Sequence, residues 1–360
     1  MKAASSAPDL AALELPELET LFRERDIPAF HARQVYRWIH RRGVTDPGLM
    51  TDLARPLRAR IADELAIRTP RLASRDVSSD GTQKFLFELA DGTRIESVFI
   101  PDTPALTFCI SSQVGCAMDC GFCLTGRMGF VRNLSAGEIA AQVRELARLL
   151  DLQDSPFNIV LMGMGEPLHN YDNVMKALRM LYDEHGLHVG PRRITLSTVG
   201  LVPAIDRLGR EPIMPNLAVS LHATTDELRS RLVPINRKYS LAELMDACRR
   251  VPLKRRNRIT FEYVLLDGVN DTPEDARRLV RLLASVKSKV NLIPLNAAPG
   301  IPFDRPSDNR VDAFARIVAA GGLTVSVRKS RGRDIRAACG QLIVEGQRKS
   351  AAQQMATLMR

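Results

Sequence analysis

The sequence predicts a mixed α/β chain built around a parallel sheet, either doubly wound or curled into a full or partial barrel. Three observations lead there. From about residue 105, short apolar runs alternate with longer amphipathic segments, as repeated βα units do. The longer segments open with helix-start chemistry. Polar residues able to hold a ligand cluster at the ends of the apolar runs, the rim where parallel barrels collect ligands.

The front end differs. Residues 1–75 read as short helices. One carries Val35, Trp38 and Ile39 on an apolar side, with Arg33, Arg37 and Arg41 recurring on another, and a second covers roughly 50–65. Residues 84–89 and 94–100, joined by Ala90-Asp91-Gly92-Thr93, predict a β-hairpin. Strands are then expected at 106–111, 158–162, 194–198, 217–222, 259–266, 290–295 and 323–328. Between them, Ser135-x-x-Glu138, Thr224-x-x-Glu227 and Ser240-x-x-Glu243 form capping boxes, and Thr272-Pro273-Glu274-Asp275 places proline at a first helical position. The expected division is a helical accessory domain (1–75), a hairpin linker (76–104), the barrel (105–345) and a helical tail (346–360).

Composition narrows the function. The chain has 360 residues, ample for a core at 45% hydrophobic, and its 5% aromatic content argues against an all-β sandwich. Lys+Arg of 51 against Asp+Glu of 41 leaves +10, which suits a polyanionic partner. No apolar run reaches the ~18 residues of a membrane span. The N-terminal segment, with several acids and no apolar stretch, lacks the pattern of a signal peptide. Six cysteines, three of them crowded together, suit a reducing cytoplasm.

Those three are Cys116, Cys120 and Cys123, in a Cys-x-x-x-Cys-x-x-Cys run. Structural zinc wants four closed ligands. A 4Fe–4S cluster also has four irons to ligate, so three thiolates leave one iron open to a small molecule. Further polar residues fall at later strand ends: Gly165 and Glu166 in a glycine-rich turn, Ser197, Ser220 and His222 on one strand face, and Asn296. Singly, each reads equally as a turn or a cap. Their convergence on one rim marks a ligand site. Cys339 follows Arg328, Lys329, Arg331 and Arg333, whose charge favours a thiolate, although Cys339 and Cys109 could each be a small buried hydrophobe. Cys248, at helical spacing with Leu241 and Leu244, reads as core.

The stretches CISSQVGCAMDCGFCLTGRMGFVRNL, LMGMGEPLHNYDNV, ITLSTVG, LAVSLHA, NLIPLN and DIRAACGQL, with the front segment ARQVYRWIHRRGVTD, resemble the RlmN/Cfr-like family of the radical S-adenosylmethionine (SAM) superfamily. The resemblance covers nearly the whole chain. It implies a partial (β/α)6-type barrel, a 4Fe–4S cluster on Cys116, Cys120 and Cys123, and an aromatic shield for it at Phe122. SAM would be held by Gly165, Glu166, Ser197, Ser220, Leu221, His222 and Asn296. The resemblance implies methylation of carbon 2 of adenine 2503 in 23S rRNA and of adenine 37 in certain tRNAs. By that resemblance Cys339 takes a methyl from one SAM, and a radical from a second SAM activates it to add to the base. Cys109 then releases the product through a transient disulfide, with Glu96 as proton acceptor. Read without the resemblance, Glu96 is an exposed strand glutamate. A flavodoxin-type electron donor and a monomeric, cytoplasmic enzyme are also implied.

Arg33, Arg37 and Arg41, and the run Arg249, Arg250, Lys254, Arg255, Arg256 and Arg258, are candidate RNA contacts or simply solvated charge. Two other functions compete. A relative that methylates carbon 8 of the same rRNA adenine shares these cysteines, and the helical front end favours carbon 2. A non-catalytic zinc or Fe–S nucleic-acid-binding protein would have no use for Cys339.

Overall fold

The computed structural model describes residues 7–101 and 105–344. The tail expected at 346–360 lies outside the described residues. In chain order the strands are β1 (Arg71–Val77), β2 (Gln83–Glu88), β3 (Arg94–Ile100), β4 (Thr107–Cys109), β5 (Gln113–Gly115), β6 (Phe130–Asn133), β7 (Asn158–Leu161), β8 (Ile194–Thr198), β9 (Asn216–Ser220), β10 (Ile259–Leu265), β11 (Ser288–Pro294) and β12 (Thr324–Val327). Ten of them form one sheet in the order β1-β2-β3-β4-β7-β8-β9-β10-β11-β12, while β5 and β6 pair separately. From β4 to β12 every neighbouring pair is parallel. This is the expected open barrel, with β12 as a seventh parallel strand.

The hairpin is not a linker. β3 pairs antiparallel with β4 (Val98 opposite Cys109), so β1–β3 extend the barrel sheet itself. β1 also starts at Arg71, inside the span expected to be helical. It is an edge strand with four exposed residues at its end, so it lacks the alternation that marks a half-buried strand. The helix expected over 50–65 is shorter, Arg55–Glu64, behind a 3-10 turn at Pro47–Leu49.

Reciprocal capping boxes start the helices at Ser135/Glu138, Ser240/Glu243 and Thr272/Asp275. The box expected at Thr224 is replaced by Thr225, whose hydroxyl accepts from the Leu228 amide to open Asp226–Leu232. These helices bury their apolar sides against the strands, with Phe108, Ile159, Leu196, Val219 and Phe261 in the shared core and Cys248 packed among them. The front helices close over a separate core that includes Leu10, Phe22, Val35 and Ile61. They dock on Ala136–Leu149 and Tyr171–Tyr182. A Cβ on Gly137 would lie 2.8 Å from the Ala12 Cα, and the Tyr36 hydroxyl donates to the Met180 carbonyl at 3.3 Å.

Candidate active site

At the carboxyl ends of the parallel strands, a cavity opens between the loop after β5 and the rim of the barrel. Cys116, Cys120 and Cys123 line it from one side; Glu166, Ser197, Ser220, His222 and Asn296 line it from the other. Leu221 does not. Its side chain is buried, its amide donates to the Glu262 carbonyl, and its own carbonyl accepts from Arg229.

The cysteine loop is held by backbone. Gly121 donates to the Leu232 carbonyl at 3.0 Å and Cys123 to the Cys120 carbonyl at 3.1 Å. Burial pushes all three thiols up, and mutual repulsion adds to it at Cys116 and Cys120. Three thiols, Cys120 buried and Cys116 and Cys123 half-buried, that resist ionising one beside another fit a cationic group placed among them, which makes them thiolates. Among the described residues, no three His, Cys, Asp or Glu side chains converge as ligands of a single metal ion. Phe122 stands edge-on to His222 with ring centroids 4.6 Å apart, and so covers that flank of the cavity.

The turn after β7 is shaped by a close approach. At Gly165 φ is +106°, and a Cβ there would lie 2.6 Å from the Gln113 Cβ; one on Gly163 would lie 2.7 Å from the Ile110 carbonyl. The glycines therefore make room for residues 110–113 as well as for a ligand. Gln113 in turn accepts from the Glu166 amide at 2.8 Å. The Glu166 carboxylate accepts from the amides of Leu168 (3.0 Å) and Val199 (2.8 Å), yet burial outweighs these bonds and pushes it up to about 7. Such a carboxylate gains from a ligand ammonium.

His222 sits at φ 60° with its Nδ1 accepting from the Val264 amide at 3.0 Å. Its Nε2 then carries the proton. Burial and the nearby Arg229 push its pKa down to about 3, so the ring is a neutral donor. Asn296 donates from Nδ2 to the Cys339 carbonyl at 3.2 Å, while its buried Oδ1 has no partner. That unpaired oxygen awaits a ligand donor. Together these groups fit the cluster and the amino-acid end of SAM.

Sequence reasoning missed Arg229. It is fully buried and donates to the carbonyls of Val199 (2.6 Å), Ser220 (3.1 Å) and Leu221 (3.1 Å) and to Asn236 Oδ1 (2.9 Å). The guanidinium thus gathers the ends of β8 and β9 beneath the cavity. Its only sequence signal is a cation one turn into a helix, which normally marks a surface.

Cys339 rides on a strap, residues 330–344, that crosses the barrel mouth. Gly340 accepts from Leu124 N at 2.8 Å and Leu342 from the Thr125 hydroxyl at 2.7 Å, tying the strap to the cysteine loop. Asp334 accepts from the Ser78 hydroxyl at 2.6 Å, tying it to the hairpin. Cys339 lines the main cavity and also a smaller one, which it shares with Cys109. Burial, then Cys339, push the Cys109 thiol up to about 12, and Arg328 opposes them.

Glu96 differs from the exposed strand glutamate that the residues alone suggest. It is 4% exposed, not a solvated strand residue, and it does not line either cavity. Its carboxylate pairs with Lys84 at 3.0 Å and accepts from the Ile343 amide at 2.9 Å, so it anchors the strap. Burial raises its pKa against the pull of Lys84.

Of the basic patches read from the sequence, Arg33 pairs with Glu19, Arg249 with Asp246 and Arg250 with Asp206. Those charges are in part neutralised within the protein.

Three thiols of one loop, at the open end of a parallel barrel and facing a buried carboxylate, are the features of a radical SAM enzyme. Residues 110–283 match the profile of the radical SAM superfamily, and residues 8–67 that of the ribosomal RNA large subunit methyltransferase N-terminal domain. The chain is 52% identical to the dual-specificity RNA methyltransferase RlmN of Geobacter sulfurreducens, over 93% of this chain and 91% of that one. It is 50% identical to the RlmN of Syntrophobacter fumaroxidans, over 92% and 96%. A crystal structure of a radical SAM methyltransferase from Sphaerobacter thermophilus superposes with TM-score 0.89 at 48% identity, covering 93% of this chain and 99% of that one. The chain belongs to the RlmN family of radical SAM RNA methyltransferases.

Proposed function

We propose that this protein methylates carbon 2 of adenine in both rRNA and tRNA, carrying the methyl group on Cys339. The observation that supports it most is the position of Cys339, whose residue lines both the ligand cavity and the smaller cavity that holds Cys109. One side gives it access to a methyl donor, the other to a resolving thiol.

Cys116, Cys120 and Cys123 would hold the cluster; Glu166, His222, Ser197, Ser220 and the Asn296 oxygen would orient SAM, with Gly165 allowing the close turn. When bound, the cluster supplies the electron that splits SAM into a carbon radical. An adenine carbon between two ring nitrogens is electron-poor, so it accepts a radical more readily than a methyl cation. The protein's own work is to position a sulfur. Asn296 and the Leu124 amide hold the Cys339–Gly340 backbone against the ligand cavity. Cys109, on β4 and lining the small cavity with Cys339, would attack the Cys339 sulfur and release the product, an exchange that needs in-line access. Glu96 completes the reading as proton acceptor, supported by its raised proton affinity beneath the strap.

The front helices, which match a ribosomal RNA methyltransferase domain, act as an RNA-contacting accessory domain and favour carbon 2 over carbon 8. A flavodoxin-type donor, a monomeric state and a cytoplasmic location belong to the same reading. All six cysteines are free, in keeping with a reducing compartment. To test it, the reconstituted protein is incubated with SAM, a reductant and an rRNA fragment, and the products are analysed by mass spectrometry. The reading requires 5′-deoxyadenosine and 2-methyladenine together. An 8-methyl product would reassign the position, and SAM consumption without RNA modification would end the proposal.

A further inference from the structure

Beneath the ligand cavity, the inside of the barrel forms a second open space with a distinct charge. Arg192, Arg193, Lys289, Lys329 and Arg331 line it, and none of them forms an ion pair among the described residues. Glu262 is the acid on this wall, and Asn291 donates to it at 2.7 Å. A charge run on a convex face is ordinarily solvated surface. Unpaired cations on the wall of a concave groove instead add their fields and concentrate anions there.

The groove leads somewhere. Met162 and Arg328 line the groove, the small cavity between the two thiols, and the ligand cavity. The groove and the inter-thiol cavity also share Ile100 and Arg331. The inter-thiol cavity therefore sits between the basic groove and the ligand cavity and shares a wall with each. Their walls hold buried polar atoms with no partner: Ser330 Oγ and Arg331 Nε at the inter-thiol cavity, and Asn296 Oδ1 beyond it. Leaving such atoms unpaired is costly unless a ligand completes them.

We propose that single-stranded RNA carrying the target adenine enters along this groove. Its phosphates lie on Arg192, Arg193, Lys289 and Lys329, and the target base turns from the groove toward Cys339. This rests on the RNA-modifying function proposed above. Flipping a base costs a few kcal/mol, and phosphate contacts at the groove offset that cost. The run at 249–258 gives up the charges of Arg249 and Arg250 to carboxylate partners and does not line this groove, whereas the groove cations have no such partners among the described residues.

The test compares two charge-reversal variants for binding of an rRNA fragment across a salt series. Arg192→Glu with Arg193→Glu removes two groove cations whose side chains are exposed and form no ion pair, so folding is not at stake. Arg255→Glu with Arg256→Glu is the control outside the groove. Loss of two phosphate contacts should weaken binding about tenfold at physiological salt and flatten the log–log salt slope by roughly 1.4. The control should match the unaltered protein. Equal affinity and slope in the groove variant, or the larger loss in the control, would overturn the proposal. If the unaltered protein bound no RNA, the RNA-modifying reading itself would fail, a result distinct from either variant outcome. Arg192→Gln with Arg193→Gln should lie between the unaltered protein and the double reversal.

Discussion

Replacing Arg229 by methionine should be among the most damaging single changes in the barrel. The side chains are similar in length, so the perturbation is chemical. The guanidinium serves four acceptors, the carbonyls of Val199, Ser220 and Leu221 and the Asn236 side chain, at 2.6 to 3.1 Å. Each acceptor left unpaired in a buried site costs about 1–3 kcal/mol. Relief from burying a cation, which its lowered pKa of about 10 reflects, returns part of that. A net loss of about 3–5 kcal/mol follows, a large share of a typical stability of roughly 5–15 kcal/mol. Urea unfolding, followed by circular dichroism, should show a lower midpoint, with SAM affinity reduced because the ends of β8 and β9 line the cavity. Arg229→Lys, which can reach fewer acceptors, should fall in between. A loss below about 1 kcal/mol for the methionine variant would refute the claim that this residue holds the strand ends together.

Cys339→Ala should yield no methylated RNA, whereas Cys109→Ala should trap RNA covalently on the protein, seen as a shifted band by denaturing electrophoresis; free methylated product from the latter would contradict the two-thiol route. Gly165→Ala places a Cβ 2.6 Å from Gln113 at φ +106°, which must displace the partner of the Glu166 amide, so SAM affinity by calorimetry should drop at least about tenfold. Glu166 holds its proton up to about pH 7 in the folded protein, against an ordinary value of 4.5. The folded state therefore binds this proton more tightly than the unfolded chain. Its contribution makes the ligand-free protein lose stability as pH rises from about 4.5 to about 7 and levels off above that. Glu166→Gln should flatten that interval in a series of unfolding curves.

The parallel strands were legible because they are short apolar runs between capped helices, and the boxes at Ser135, Ser240 and Thr272 open helices as their spacing implies. The cysteine loop and the polar strand ends were legible because their spacing and position carry the chemistry. What was not legible depends on contacts distant in sequence. β1 is an exposed edge strand whose residues show no alternation. Arg229 looks like a helix-surface cation until the fold closes carbonyls around it. Glu96 lies on an inner, largely buried strand, and the strap, more than two hundred residues away, packs over it through Ile343. Leu221 lies between two wall residues, Ser220 and His222, yet it points into the core.

The central claim is that three cysteines leave an iron open for SAM. Anaerobically reconstituted protein, reduced and mixed with SAM labelled at its amino nitrogen, can be examined by pulsed electron–nuclear spectroscopy. The account predicts a direct coupling between that nitrogen and the cluster, lost in the Cys120→Ala variant. A spectrum unaltered by SAM, with no coupling to the label, would contradict it.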